Sequence, residues 1–481
     1  MNKKTVCITG ATGVMGYETL KEFSRRLARF NLRLLVRDSK KNRKKLTPYM
    51  KLEGVSVIWG DLTNAADVAN AIGDAEYVLH IGGMVSPLAD HYPEQTMKVN
   101  VGAMQNIVDA VKSRKDADNV KVVYIGSVAE TSNRNPPYHW GRTGDPVIAA
   151  KFDNYGLSKI KAEWILAESG LDKWVSLRQS GILHKGLIFK GSDPISFHVP
   201  LHGVLEWATV EDSARLMANL CEDGVPEDFW KGFYNIGSGA EFRLTNYDFE
   251  RYLLESLRCP APEKVFNRNW FATHNFHGEW YEDSDKLNEI IPFREGITAK
   301  AYFKRLAKSM PWWMNLTPLA PAFIIKAAMK RVAFTPKLGT LYWLSHEDCE
   351  DRIEAFFGSR EEQASIGDWK TFDATPPSDQ PLRLNHGYDE NKPDSELSID
   401  DMRRAAEFRG GKCISEDMTT GDLDTTLDWE CAFGHKFRAT PRTVLKGGHW
   451  CPECLPEPWN YDEQADHNPF FAQVWKAGKK K

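Results

Sequence analysis

Gly10-Ala11-Thr12-Gly13-Val14-Met15-Gly16 is the stretch whose reading decides the fold. An apolar run at residues 5–9 precedes it, and Leu20, Phe23, Leu27 and Phe30 follow at helical spacing. In a strand–turn–helix of this kind one glycine permits the tight turn. A second lets the backbone approach a pyrophosphate, and a third lets helix and strand pack closely. The free N–H groups and positive dipole end of the helix then face the phosphates. Gly10, Thr12, Gly13, Val14, Met15 and Gly16 are therefore candidate dinucleotide-binding residues. The group that reads the adenosine ribose is expected roughly 20 residues further on, at the end of the second strand. Residues 32–36 form that strand and Arg37 ends it. A cation there suits the 2′-phosphate of NADP. Asp38, next in line, keeps NAD open if the register is one residue off.

Outward from this turn, strand and helix signals alternate up to residue 182. Strands are predicted at 55–59, 77–81, 120–125 and 174–177. Met104, Ile107, Val108 and Val111 mark one intervening helix, and residues 155–169 another. Such alternation predicts an α/β fold, a Rossmann-type doubly wound parallel sheet covered by helices on both faces. On the second helix Tyr155 and Lys159 are four residues apart, so phenol and ammonium share a face. A neighbouring cation favours phenolate and lowers the tyrosine pKa, as acid–base work near neutrality requires.

Taken together, these motifs resemble the short-chain dehydrogenase/reductase superfamily, in its extended, NAD-dependent epimerase/dehydratase-like branch, over about residues 4–300. The likeness includes Gly60-Asp61-Leu62, His80-Ile81-Gly82-Gly83, Asn100-Val101-Gly102, Tyr124-Ile125-Gly126-Ser127, Arg178 to Ile182 and Asn235 to Gly239. It implies that Asp61 and Leu62 lie against the adenine and that Ile81, Gly82, Gly83 and Asn100 line the cofactor. It further implies that Ser127 hydrogen-bonds the reacting oxygen while Tyr155 moves its proton. Lys159 tunes the tyrosine and holds the nicotinamide ribose, and a homodimer is implied as well. Dehydratases of this branch carry an Asp-Glu pair directly after the catalytic Ser/Thr. Here Val128, Ala129 and Glu130 follow Ser127, which disfavours dehydration and leaves epimerase and reductase.

The 481 residues predict about two to four domains. The net charge of −4 gives no global reason to expect nucleic acid or an anionic surface. The chain enters its first strand just after Met1-Asn-Lys-Lys, and a cytoplasmic location is the expectation. Residues 183–309 turn irregular, as a substrate-binding lobe would. Its histidines, at 184, 198, 202, 274 and 277, are assigned no role. The segment 310–334 is rich in Trp, Pro, Ala and Ile, but Pro311, Pro318, Pro321, Lys326, Lys330 and Arg331 interrupt it. It reads as a helix packed on the lobe, with peripheral membrane contact as the alternative.

Cys431-Ala-Phe-Gly-His435 and Cys451-Pro-Glu-Cys454 supply the four N/S ligands of a tetrahedral structural zinc, in a segment too small to fold on apolar area alone. The stretch resembles zinc-ribbon or treble-clef-like modules. Cys413 is a reserve ligand should His435 point away. Residues 405–460 hold six Lys/Arg against nine Asp/Glu, so a structural or protein-docking role is expected rather than nucleic-acid binding.

The predicted organisation is a dinucleotide-binding core at 1–182 and a substrate lobe at 183–309 with return segments near 203–240. A helical extension at 310–357, a linker at 358–404, the zinc module at 405–458 and a tail at 459–481 complete it. The expected function is an NADP- or NAD-dependent oxidoreductase or epimerase. Its substrate is a sugar nucleotide or another hydroxyl/carbonyl compound. The competing expectation is a non-catalytic NAD(P) sensor that docks a partner through the zinc module.

Overall fold

The computed structural model describes residues 3–189, 193–312, 320–455 and 459–477. Seven strands carry the N-terminal core: β1 (Lys4–Thr9), β2 (Phe30–Val36), β3 (Val55–Trp59), β4 (Tyr77–His80), β5 (Lys121–Ser127), β6 (Trp174–Gln179) and β7 (Gly232–Ile236). They form one parallel sheet in the order β7-β6-β5-β4-β1-β2-β3. Alternate residues serve opposite faces. Val6 and Ile8 of β1 join one apolar layer with Leu32 and Leu34, while Cys7 joins the other with Val78 and Val122. Burial on both faces explains why these strands read as apolar runs rather than as alternating ones. The order reverses between β1 and β4, and a doubly wound sheet opens its ligand crevice at such a point. The fold is therefore Rossmann-type.

Phe30, expected on the first helix, instead starts β2; that helix is Val14–Ser24. Its helical spacing from Phe23 arises because both rings fill one core site, in edge contact at 5.1 Å.

Three further expectations change. The 358–404 stretch, expected as a linker, touches the core where Leu384 and His386 are buried, and Leu397 is buried in the C-terminal module. His386 Nε2 meets Asp145 Oδ1 at 2.8 Å, and Arg142 clamps Glu390 through two bonds of 2.7 Å. Most of the stretch is exposed, and these pairs tie it to the core. The helix Ile399–Phe408 crosses the expected boundary at 404/405, since Met402, Ala405 and Ala406 belong to the C-terminal core. The stretch after 459, read as a tail, forms helices Tyr461–His467 and Pro469–Trp475. Tyr461, Phe471 and Val474 pack there with Ile148 and Leu384.

The C-terminal module is a three-stranded antiparallel sheet, Lys412–Cys413, Leu427–Glu430 and Lys436–Ala439, closed around Trp429. In the extension, helix Ala322–Ala333 packs Ile325, Met329 and Val332 against Trp270 and Phe271. Among the described residues no helix is long and apolar enough to cross a membrane.

Candidate active site and metal centre

A cavity of about 1400 Å³ opens at the sheet's switch point, walled by the glycine turn at one end and by Ser127, Tyr155 and Lys159 at the other. The turn is as tight as its composition predicts. Gly10 sits at φ +72°, where a Cβ would lie 2.6 Å from Gly82, and the Gly13 amide donates to the Gly10 carbonyl at 2.8 Å. A Cβ on Gly16 would lie 2.2 Å from the Gly10 oxygen. Gly13, at the N-cap of helix Val14–Ser24, offers no side chain to the first-turn amides, which leaves them for an anion. The site thus fits a dinucleotide's pyrophosphate. Gly16→Ala is expected to displace the turn and abolish saturable dinucleotide binding, read by calorimetry. Unchanged affinity would contradict this placement.

Thr12, Gly13, Val14, Met15, Arg37, Asp61, Leu62, Ile81, Gly82 and Gly83 all line this cavity. Asn100 does not. Its amide is spent behind the wall, where Oδ1 accepts from the Met84 amide at 2.7 Å and Nδ2 donates to Ser158 Oγ at 2.8 Å. It braces the Gly83–Met84 turn from behind the wall. Asp38 is held by Arg43 through two bonds of 2.6 Å, so its carboxylate is already engaged. Arg37 lines the wall with Lys41 and Lys45, and Lys45 reaches the Thr12 carbonyl at 2.9 Å. Lys45 was missed in the sequence, although the run Lys40-Lys-Asn-Arg-Lys-Lys45 was its signal.

At the other end, Asp153 caps helix Asn154–Ala167 by accepting from the Gly156 amide at 2.6 Å, a contact of about 1 kcal/mol in typical cases. The cap fixes the first turn, which carries Tyr155. Ser127 ends β5 and starts a turn of 3₁₀ helix. Its amide donates to Glu130 Oε1 at 2.6 Å and its Oγ accepts from the Ala129 amide at 3.1 Å. Ser127, Tyr155 and Lys159 all face the same cavity. Lys159 donates to the Ile125 carbonyl at 2.8 Å, with Nζ 5.8 Å from the centroid of the Tyr155 ring.

The electrostatics differ from the expectation that Lys159 lowers the tyrosine pKa. Burial pushes Tyr155 well above the ordinary phenol range, the nearby Ser127 hydroxyl offsets only part of this, and Glu130, Asp153 and Asp90 push the same way as burial. Burial also lowers Lys159 to about 8, against the opposing pull of Glu130 and Glu163. Desolvation by burial is the largest cause for both groups. Tyr155 is thus a protonated phenol across the neutral range. Of the five lobe histidines, His184 and His277 line the cavity, and His277 Nδ1 lies 3.0 Å from Asp153 Oδ2. His198 is bonded to the Leu338 carbonyl instead, and the His202 ring lies 4.7 Å from that of Phe372 at a tilt of 30°.

In the C-terminal module the ligand atoms of Cys431, His435, Cys451 and Cys454 all lie within 4.8 Å of one another. Cys431 Sγ and Cys454 Sγ are each 3.4 Å from His435 Nδ1, and the two sulfurs are 3.6 Å apart. A tetrahedral zinc with ordinary Zn–S and Zn–N bonds has ligand–ligand edges of about 3.5 Å, so the four groups fit that ion. Cys413, the reserve ligand, lies outside this group, in the module's apolar core. Three of the module's cations are paired locally: Arg442 with Asp424, Lys446 with Asp394 and Arg438 with Asp428.

Residues 6–178 match the sequence model of the NAD dependent epimerase/dehydratase family. Human 3 beta-hydroxysteroid dehydrogenase type 7 is 29% identical over 142 residues, covering 27% of this chain and 38% of that protein. The rat protein of the same name is 31% identical over 135 residues, covering 28% and 38%. The chain spans under two fifths of the length of these relatives. A dTDP-glucose 4,6-dehydratase from Bacillus anthracis str. Ames, solved in complex with NAD, shares the fold at a TM-score of 0.51 and 13% identity. That match covers 63% of this chain and 96% of the other.

Proposed function

We propose that this chain, with an NAD dependent epimerase/dehydratase segment at its N-terminus, is an NAD(P)-dependent oxidoreductase or epimerase acting at a hydroxyl or carbonyl carbon. The observation that carries the reading is the convergence of Ser127, Tyr155 and Lys159 on one cavity with the glycine turn. Gly10, Gly13, Gly16, Gly82 and Gly83 would hold the dinucleotide, and Lys159 its nicotinamide ribose. When bound, the nicotinamide supplies the hydride donor or acceptor. Ser127 orients the substrate oxygen by hydrogen bonding. Tyr155, kept protonated by burial, gives that oxygen its proton, which suits the carbonyl-reducing direction. Glu130 accepts from the Ser127 amide through Oε1 and is not among the residues that line the cavity, which disfavours the acid–base work of an elimination. The substrate class is a sugar nucleotide or another hydroxyl/carbonyl compound. Tyr155→Phe is the test of this chemistry.

Arg37, with Lys41 and Lys45, favours the 2′-phosphate of NADP. Arg37→Asp is expected to lower the NADP+/NAD+ affinity ratio about 10–100-fold, the worth of a lost charge-assisted contact. An unchanged ratio would return the choice to NAD.

Cys431, His435, Cys451 and Cys454 are assigned to one structural zinc; with four protein ligands it has no open position for catalysis. The extension supplies a second contact. Trp312 is 76% exposed and Phe323 72%, with Ile324 and Phe334 also exposed, beside Lys330, Arg331 and Lys337. Apolar side chains flanked by cations suit the surface of an anionic lipid layer. The full chain is expected to co-sediment with phosphatidylserine vesicles and not with phosphatidylcholine ones, and Phe323→Asp to release it. Equal retention on both, or self-association through this face, would remove the membrane reading.

A further inference from the structure

The helix that carries Tyr155 and Lys159 also carries Glu163, Trp164 and, just past its end, Glu168, and all three touch the metal-ligating module. His449 Nε2 lies 2.7 Å from Glu163 Oε1, and Trp164 meets the His449 ring edge-on at 5.5 Å. The Thr440 amide and hydroxyl donate to the Glu168 carboxylate at 3.0 and 2.9 Å. From Glu163 the network continues inward. Arg178 donates to Glu163 Oε1 and to the Gly447 carbonyl, both at 2.6 Å, and lies 3.6 Å from Glu130, the residue that accepts from the Ser127 amide. Glu130, Glu163, Arg178 and His449 are all at most 1% exposed.

The module reaches this depth because two glycines allow it. Gly448 is at φ +77°, where a Cβ would lie 1.9 Å from the Asp145 carbonyl oxygen, and a Cβ on Gly447 would lie 2.8 Å from the Phe233 ring. Cys451, two residues after His449, is a zinc ligand in the assignment above, so the segment 440–449 is pinned between its metal end and the catalytic helix. A buried carboxylate holds its place only while its donors do, and a lost donor leaves a charge that must move.

We propose that residues 440–449 of the metal module position the Tyr155–Lys159 helix and Ser127, with His449 and Glu163 as the joint. The module then acts as an internal brace of the active site. Glu163, Arg178, Glu130 and His449 are positioning residues that touch no substrate. The proposal rests on the reading of Tyr155 and Lys159 as cofactor-handling groups.

The test uses the full chain with its zinc content measured. His449→Ala, still holding one zinc, is expected to speed amide hydrogen exchange in residues 154–167 and to weaken NADP+ binding about tenfold, the effect of one lost bond to a charged group. His449→Gln, whose amide can still donate to Glu163, is expected to restore most of both. Exchange that rises only within 397–455, or a glutamine variant no better than alanine, would overturn the brace. Should the alanine variant not fold, stripping zinc from the wild-type chain with a chelator asks the same question of residues 154–167, with the same two outcomes. If the wild-type chain binds neither NADP+ nor NAD+, the functional reading fails by itself, and the exchange measurement still decides this one.

Discussion

Tyr155→Phe is expected to lower turnover about 10²–10⁴-fold while leaving dinucleotide affinity unchanged, because a positioned general acid contributes that factor to proton transfer. The phenyl ring preserves the volume in the cavity wall, so what is lost is the phenol hydroxyl and its proton. The measurement is nicotinamide absorbance over a panel of hydroxysteroids and sugar nucleotides, with affinity followed separately by calorimetry. A variant that turns over like the wild type would leave the chain a dinucleotide-binding sensor, since a sensor needs no proton-transfer group.

Loss of the metal is the second large effect. Removing zinc, or Cys454→Ser, is expected to unfold the 397–455 module, because binding of a structural zinc is worth about 10–16 kcal/mol in small modules. Trp429, Phe437 and Leu427 lie around a core whose strands span only two to four residues each, too little to stay ordered without the ion. Near-ultraviolet dichroism from the buried Trp429 should vanish with the zinc, and one ion per chain should be released. A spectrum and melting curve indifferent to chelation would show that the four ligands are plain thiols and imidazole in a self-sufficient core.

What could be read in the sequence was what is local in the chain. The glycine turn spans seven residues, Tyr155 and Lys159 share a helix face, and the two Cys/His pairs announce themselves by spacing. Their chemistry follows from short-range geometry, so the cavity wall was legible almost residue by residue. What could not be read depends on distant parts of the chain. Glu163 and His449 are 286 residues apart, and neither stands in a motif. The 358–404 stretch reads as a linker because most of it is polar and exposed, and its ties to the core, His386 to Asp145 and Glu390 to Arg142, are ion pairs with residues far away in the chain. The direction of the Tyr155 shift was also hidden, because it is set by burial and by Glu130, Asp153 and Asp90 rather than by the lysine one turn away. Asn100 matched the family segment in position, but the loop it braces is fixed only by the fold.

The most direct test of the central claim, that this cavity is a nicotinamide dinucleotide site, is a calorimetric titration of the full chain with NADP+ and with NAD+. The structure predicts saturable binding of one dinucleotide per chain, tighter for NADP+ and lost in Gly16→Ala. No saturable binding of either dinucleotide, or binding that survives the Gly16 change, would contradict it.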